Sequence, residues 1–242
     1  MKILGIDSSG LVASVALLQD EELIGEYTIN YKKTHSQTLL PMLDEVVKMV
    51  EADLGNIDAI AVAAGPGSFT GLRIGSSTAK GLGLALKKPI VPISTIEGLA
   101  YNMYATDGVI CPIMDARRNQ VYTGIYCFED DTLKELWKPC AVPVTELIEK
   151  LNEIGRRVIF TGDGIPVFRE MLKENLNLEC MFAPPHLARQ RAGAIASLGA
   201  LYYQQGKYED AAEHKPNYLR LSQAEREMKE KMAAQMAAKE KE

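Results

Sequence analysis

Apolar positions in this chain come in two rhythms, short unbroken runs and stretches with a period near 3.6, and the two alternate. Ile3-Leu4-Gly5-Ile6 opens a strand over 2–8, Val12 to Leu18 a second over 12–18, and 23–30 a third, with the polar turn Gln19-Asp20-Glu21-Glu22 between the last two. Residues 36–52 carry helical spacing and 58–63 form a short apolar run. The stretches 68–87, 90–93 and 95–105 then predict helix, strand and helix. The second half repeats the order: strands 109–115, 120–127 and 133–140, helix 144–154, strand 157–161, helix 165–175, a short strand over 179–182 and helix 188–205. Three meander strands followed by strand–helix alternation, twice over, predict two mixed sheets with helices on both faces.

That order is the one of the duplicated actin-like (ASKHA) α/β fold, in which nucleotide normally lies between two mixed-sheet halves flanked by helices. The expected division is a first half over 1–106, a second over 107–187, a closing helix and segment over 188–221 that can return to the first half, and a charged tail over 222–242.

The most telling stretch joins strand 58–63 to helix 68–87: Gly65-Pro66-Gly67-Ser68-Phe69-Thr70-Gly71-Leu72-Arg73-Ile74-Gly75. Ser68 is a good N-cap after a Gly-Pro-Gly turn. Strand, glycine turn and helix N-terminus together can form an anion site. The spacing is neither that of a P-loop nor Gly-x-Gly-x-x-Gly. The alternative is a tight turn whose glycines only let backbones approach. Gly71, Gly75, Gly81 and Gly83 all fall inside the helix. Each costs roughly 0.8–1 kcal/mol there relative to alanine, which predicts close packing against a neighbouring helix or a partner chain.

Helix 36–52 is over-supplied with apolar residues. From Leu39 to Val50, eight of twelve are apolar. A stripe such as Leu39-Leu43-Val46-Val50 suffices to pack on a sheet, and Leu40, Met42, Val47 and Met49 lie outside it. The helix is either buried on two sides by its own chain or meets another protein.

Composition narrows the chemistry. The 242 residues carry a net charge of −5, a pI near 5.4 and 47% apolar residues, which describes an ordinary globular chain that does not grip nucleic acid by itself. Its compact basic groups, Arg117-Arg118, Arg156-Arg157 and Arg189 with Arg191, are too small to make a stripe. Cys111, Cys127, Cys140 and Cys180 lack metal-site spacing and read as small apolar residues in a reducing compartment. With no signal peptide and no long apolar run, the expected location is the cytoplasm. His35, His186 and His214 lie far apart, two of them at or just before predicted helices, where they can cap.

Asp7-Ser8-Ser9 closes the first strand, where actin-like folds place an aspartate facing phosphate or metal; equally, Asp7 can cap its own turn. Asp115-Ala116-Arg117-Arg118 occupies the matching place in the second half and can be a charged turn. Gly162-Asp163-Gly164 resembles the adenine-side turn of such folds. Asp7, Ser8, Ser9, Asp115, Gly162 and Gly164 are therefore the candidates for vestigial nucleotide contact, and ATP or ADP contact stays open.

The Gly65–Gly75 stretch with Ala79-Lys80-Gly81-Leu82 resembles the TsaB family, a relative of the catalytic subunit TsaD formerly grouped with glycoprotease-like YeaZ proteins. Gly5-Ile6-Asp7-Ser8-Ser9, His35-Ser36-Gln37-Thr38-Leu39-Leu40-Pro41-Met42, Met114 to Tyr122 and Pro216-Asn217-Tyr218-Leu219-Arg220 also match, in order, from residue 1 to about 221. The resemblance implies a non-catalytic accessory subunit that binds and activates TsaD in threonylcarbamoyl transfer to the adenosine beside the anticodon of tRNA. It also implies a homodimer when alone, a TsaE-like ATPase in the complex, tRNA reached only indirectly, no membrane and no required cofactor. Where TsaD carries His-x-x-x-His on the helix after the fifth strand, this chain has Thr95 and Leu99, and leucine ligates no metal. No catalytic residue is expected. The partner-binding candidates are Leu39, Leu40, Met42, Leu43, Val47, Phe69, Leu72, Gly75 and Ala79. The rival expectations are an ATP-dependent actin-fold transferase or kinase using Asp7 and Asp115, and a peptidase. The tail, with Met228, Met232 and Met236 at helical spacing among charges, predicts a solvated helix.

Overall fold

A computed structural model describes residues 1–220; the tail lies outside the described residues. The first half runs β1 (Lys2–Asp7), β2 (Ala13–Gln19), β3 (Glu22–Ile29), α1 (His35–Met49), β4 (Ala59–Gly65), α2 (Phe69–Leu86), β5 (Ile90–Ser94) and α3 (Thr95–Tyr101). The second runs β6 (Val109–Asp115), β7 (Gln120–Glu129), β8 (Thr132–Pro143), α4 (Val144–Ile154), β9 (Val158–Thr161), α5 (Ile165–Asn175), β10 (Cys180–Phe182) and α6 (Ala192–Gln204). The sheets have orders β3-β2-β1-β4-β5 and β8-β7-β6-β9-β10, so the sequence repeat is a structural repeat. In each, the meander strands pair antiparallel and the rest parallel.

Differences from the expected elements sit at their ends. α3 stops at Tyr101 and α6 begins at Ala192, while β8 extends to Pro143. A single 3-10 turn at Leu54–Asn56 is capped by the Asp53 side chain accepting from the Gly55 amide. The Ser68 cap forms as expected, accepting from Gly71 N at 3.3 Å.

Alternation along β1 and β4 sorts the packing. Leu4, Ile6, Ile60 and Val62 face α1 and α2; Ile3, Ala59, Ala61 and Ala63 face α6. The final helix therefore belongs spatially to the first sheet, and alanines on β4 with Gly199 on α6 let them approach closely: a Cβ at Gly199 would stand 2.4 Å from that of Ala61. α3 makes the reverse exchange, packing Ile96 and Leu99 against Ile110, Met114 and Tyr126 of the second half. The two exchanged helices join the halves through apolar contact.

Residues 207–220 form a strap laid along α2 from its C-terminus to its N-terminus. Glu209 bridges Ile90, Ala211 packs on Gly83, and Lys80 Nζ donates to Ala212 O. His214 reaches Ser76, Asn217 N donates to Ala64 O at 2.7 Å, and Tyr218 stacks on Phe69 at 4.1 Å. Arg220 Nη1 ends the strap by donating to Ala116 O of the second half at 2.8 Å.

Candidate functional site

Between the halves lies a cleft of about 430 Å³ lined by Ser9, Gly67, Ser68, Asp115, Asp163 and Arg220, among others. Its phosphate end is filled by the chain itself. Ser68 N donates to Ser9 O at 2.7 Å, and Ser8 Oγ donates to Gly71 O at 2.9 Å. A Cβ at Gly67 would lie 2.3 Å from Ser9 O and one at Gly71 only 2.1 Å from Ser8 O. The glycines of the turn thus admit the 8–10 loop, and the loop's carbonyl takes the helix-end amide that an anion would need.

Asp7 behaves as a turn cap, its Oδ1 accepting from Ser9 N at 2.9 Å and Ser9 Oγ at 2.6 Å. Burial pushes its carboxyl up to about 6, against the pull of those hydrogen bonds. Asp115 is taken by Arg117, through the backbone amide at 2.8 Å and the guanidinium at 3.1 Å. Gly162, at φ +103°, sits on Ile113 O, and Gly164 N donates to the same carbonyl at 2.9 Å. The two glycines turn β9 into α5 against β6. Of the nucleotide candidates only Ser9 and Asp115 line the cleft, and both are engaged within the chain, Ser9 with Ser68 N and Asp7 and Asp115 with Arg117.

The ionisation of Asp7 gives a pH signature. Its folded value lies above the 3.8 of an ordinary aspartate. The unfolded chain therefore releases its proton first, and stability falls as pH rises from about 4 to about 6, then stays level. Asp7→Asn keeps the acceptor for Ser9. It is expected to raise unfolding free energy at pH 7.5 by up to about 3 kcal/mol and to remove that slope. Urea unfolding across pH 4–8 measures both; an unchanged slope refutes the assignment.

Ser76, His214 and Glu209 have the connectivity of a hydrolase relay: His214 Nδ1 donates to Glu209 at 2.6 Å and Nε2 stands 3.0 Å from Ser76 Oγ. Ser76 is 5% exposed on a helix interior and the His214 imidazole is fully covered. Without access or a strained nucleophile turn, the trio is a latch holding the strap on α2. His35 also departs from the capping expectation: it is the first residue of α1, and the N-cap position is Thr34, whose side chain makes no capping bond. His35 Nε2 donates to Gly10 O at 2.8 Å, tying the helix to the Asp7 loop. Neither contact is visible in the local sequence. Nor is that of buried Gln190, which stands over Gly10 where a Cβ would meet its Nε2 at 2.6 Å.

The partner candidates divide. Leu39, Met42, Leu43, Leu72 and Ala79 are buried by the chain itself, which corrects their assignment to a partner surface: the apolar stripe of α1 is simply wider than a minimal one, because β2, β3 and α2 all press on it. Gly75 is also inward, its would-be Cβ 2.4 Å from Ser8 Oγ, and Gly83 meets Ala211. The close packing foreseen for the helix glycines is intramolecular at Gly71, Gly75 and Gly83, and Gly81 faces open space. Leu40 is 53% exposed, with Val47 and Phe69 half-buried. On the neighbouring helix, α2 exposes Ser77, Gly81 and Ala85 at a spacing of four, with Leu84. An outward face of small residues flanked by leucines permits close helix–helix approach.

Leu99, at one of the two compared metal-ligand positions, lies in the apolar contact between halves, and Thr95 is buried at the start of α3. Cys111 and Cys127 are buried and Cys140 and Cys180 half-buried, all four free; burial pushes Cys111 up to about 12 and Cys140 to about 11, so neither is a ready nucleophile. Among the described residues no helix is long and apolar enough to cross a membrane.

Two mixed sheets of matching topology, exchanged helices and an interlobe cleft define a duplicated actin-like protein. A Pseudomonas aeruginosa structure described as similar to peptidase YEAZ superposes with a TM-score of 0.76 at 25% identity, covering 90% of this chain and 99% of that one. The family model described as TsaD, tRNA N6-adenosine threonylcarbamoyltransferase, matches residues 22–228. The Bacillus subtilis tRNA threonylcarbamoyladenosine biosynthesis protein TsaB is 35% identical over 93% of this chain and 96% of its own length. The Escherichia coli protein of the same name is 29% identical over 72% and 77%. The chain belongs to the TsaB family.

Proposed function

We propose that this chain acts in tRNA threonylcarbamoyladenosine biosynthesis as a non-catalytic accessory subunit that binds and activates a TsaD-like transferase. The observation that carries the reading is a contrast between two surfaces. In the interlobe cleft, where a catalytic relative would work, the α2 N-terminal amide of Ser68 is taken by the chain's own Ser9 carbonyl, whereas the α1–α2 face is left uncovered at Leu40, Ser77, Gly81 and Leu84. Leu99 brings no ligating atom and is committed to packing, which supports the absence of a metal centre here. The self-filled phosphate end supports independence from nucleotide and weighs against the kinase alternative; the sealed Ser76–His214 pair weighs against the peptidase. Chemistry on tRNA then belongs to the partner, with a TsaE-like ATPase completing the set in a reducing cytoplasm.

Two helices from each side give a four-helix contact, and the same face serves a homodimer when the partner is absent. Co-purification of the chain with its cognate TsaD, followed by tRNA modification with each component omitted, tests this. Modification is expected only when both are present, with no threonylcarbamoyl transfer by this chain alone. Full transfer by TsaD without it, or stable co-purification of a Leu40→Asp, Gly81→Leu double variant, refutes the reading.

A further inference from the structure

Arg117 and Arg220 line the cleft, Arg73 reaches it through its contact with the lining residue Phe69, and Arg118 follows Arg117 in the exposed β6–β7 turn. Arg73 comes from α2, Arg117 and Arg118 from the β6–β7 turn, and Arg220 from the end of the strap. Arg73 lies 4.5 Å over the Phe69 ring and its Nε is 3.3 Å from Tyr218 Oη; Tyr218 stacks on Phe69 at 13°. Arg220 and Phe69 line the same cleft as Arg117 and Tyr122, and Arg220 is bonded to the carbonyl that precedes Arg117. Residues 117, 118 and 119 all adopt left-handed backbone, φ +67°, +55° and +55°, a run that L-residues avoid, and both arginines are exposed. Asp115 neutralises Arg117; among the described residues Arg73, Arg118 and Arg220 have no carboxylate partner. Asp163, deeper in the cleft, is the other acid of the lining.

We propose that this arginine–aromatic rim is a binding surface for a single-stranded RNA segment, with the guanidinium groups on phosphates and the exposed Tyr218 ring stacking a base. Charge and chemistry favour this occupant. The net charge of −5 and the scattered basic pairs predicted no direct grip on nucleic acid. The fold departs from that expectation by adding Arg73 and Arg220, distant in sequence, to the Arg117 side of the cleft. Planar cations beside an aromatic ring are the pairing that holds unpaired nucleotides without reading their sequence. An acidic peptide would use the charges but leave the stacked rings without a role. The RNA's identity as part of the tRNA substrate rests on the accessory-subunit reading; the surface itself does not.

Fluorescence anisotropy of the full chain with a labelled single-stranded RNA of about ten nucleotides, and with polyglutamate of equal charge, tests the proposal over a salt series. Binding to RNA is expected to be salt-dependent. Arg73→Gln with Arg118→Gln should lower the slope of log K against log salt by about 1.4, and Tyr218→Ala should weaken RNA binding about fivefold or more while sparing polyglutamate. Arg118 is exposed and its side chain has no hydrogen bond or ion pair among the described residues, so Arg118→Gln alone gives about half the slope change even if another variant fails to fold. No RNA binding in low salt, an unchanged slope in Arg118→Gln, or polyglutamate bound as tightly as RNA overturns the proposal. Leu40→Asp, which probes the partner face, should leave RNA binding unchanged, so loss of TsaD association and loss of RNA contact fail separately.

Discussion

Met42→Asp is expected to unfold the chain, whereas Leu40→Asp, two residues away, is expected to leave it folded and abolish pairing. Met42 is 2% exposed, packed with Leu39, Leu43 and Val46 against Leu4, Ile6 and Val62. Removing a buried methionine side chain costs about 2–5 kcal/mol, and an unpaired buried carboxylate adds several more. Together these rival the roughly 5–15 kcal/mol stability of a domain. Leu40 is more than half exposed and contributes little to the fold, but a charge there would be desolvated in a helix–helix contact. Circular dichroism with urea unfolding reads the first effect, gel filtration with and without TsaD the second. A cooperatively folded Met42→Asp with wild-type midpoint would mean that α1 does not pack as described.

Gly71→Ala and Gly81→Ala, one small change at two places on the same helix, are expected to shift stability in opposite directions. A Cβ at Gly71 would stand 2.1 Å from Ser8 O, a backbone atom on a loop that is itself pinned by Ser68 N and by Asp7, so the helix or the loop must move. The expected loss is about 3 kcal/mol, at the upper end for overpacking. Gly81 has nothing within 4 Å of a built Cβ, and alanine there is expected to add up to about 1 kcal/mol by helix propensity alone. Urea midpoints of the two variants settle it: equal shifts of the same sign would mean that the 8–10 loop is not seated on α2. The larger Gly81→Leu should keep this folding benefit while filling the exposed face proposed to meet a partner.

Much of the architecture was legible from local signals. Short apolar runs and 3.6-periodic stretches located all sixteen principal elements, and their repeated order implied the duplicated fold. The turn at Gly65–Ser68 with its Ser68 cap was legible because turn and cap chemistry act over three or four residues. The site was less so. Asp7 and Asp115 stood where a phosphate-facing carboxylate would, but whether the adjoining loop leaves room for a ligand depends on where Ser8 and Ser9 sit relative to α2, some sixty residues on. The strap residues His214, Tyr218 and Arg220 gave no periodic signal, since an irregular segment takes its partners from the surface it crosses.

The sequence by itself determined the order of strands and helices and the glycine-mediated approach at α2, because each follows from side chains and backbone freedom within a few residues. Tertiary structure alone decided which apolar residues of α1 are core and which remain outside, that Ser9 occupies the helix end, and that Arg117 and Arg220 line one cleft with the Arg73-bearing Phe69. Burial, cavity filling and charge clustering are properties of surfaces brought together across the whole chain, and no local window carries them.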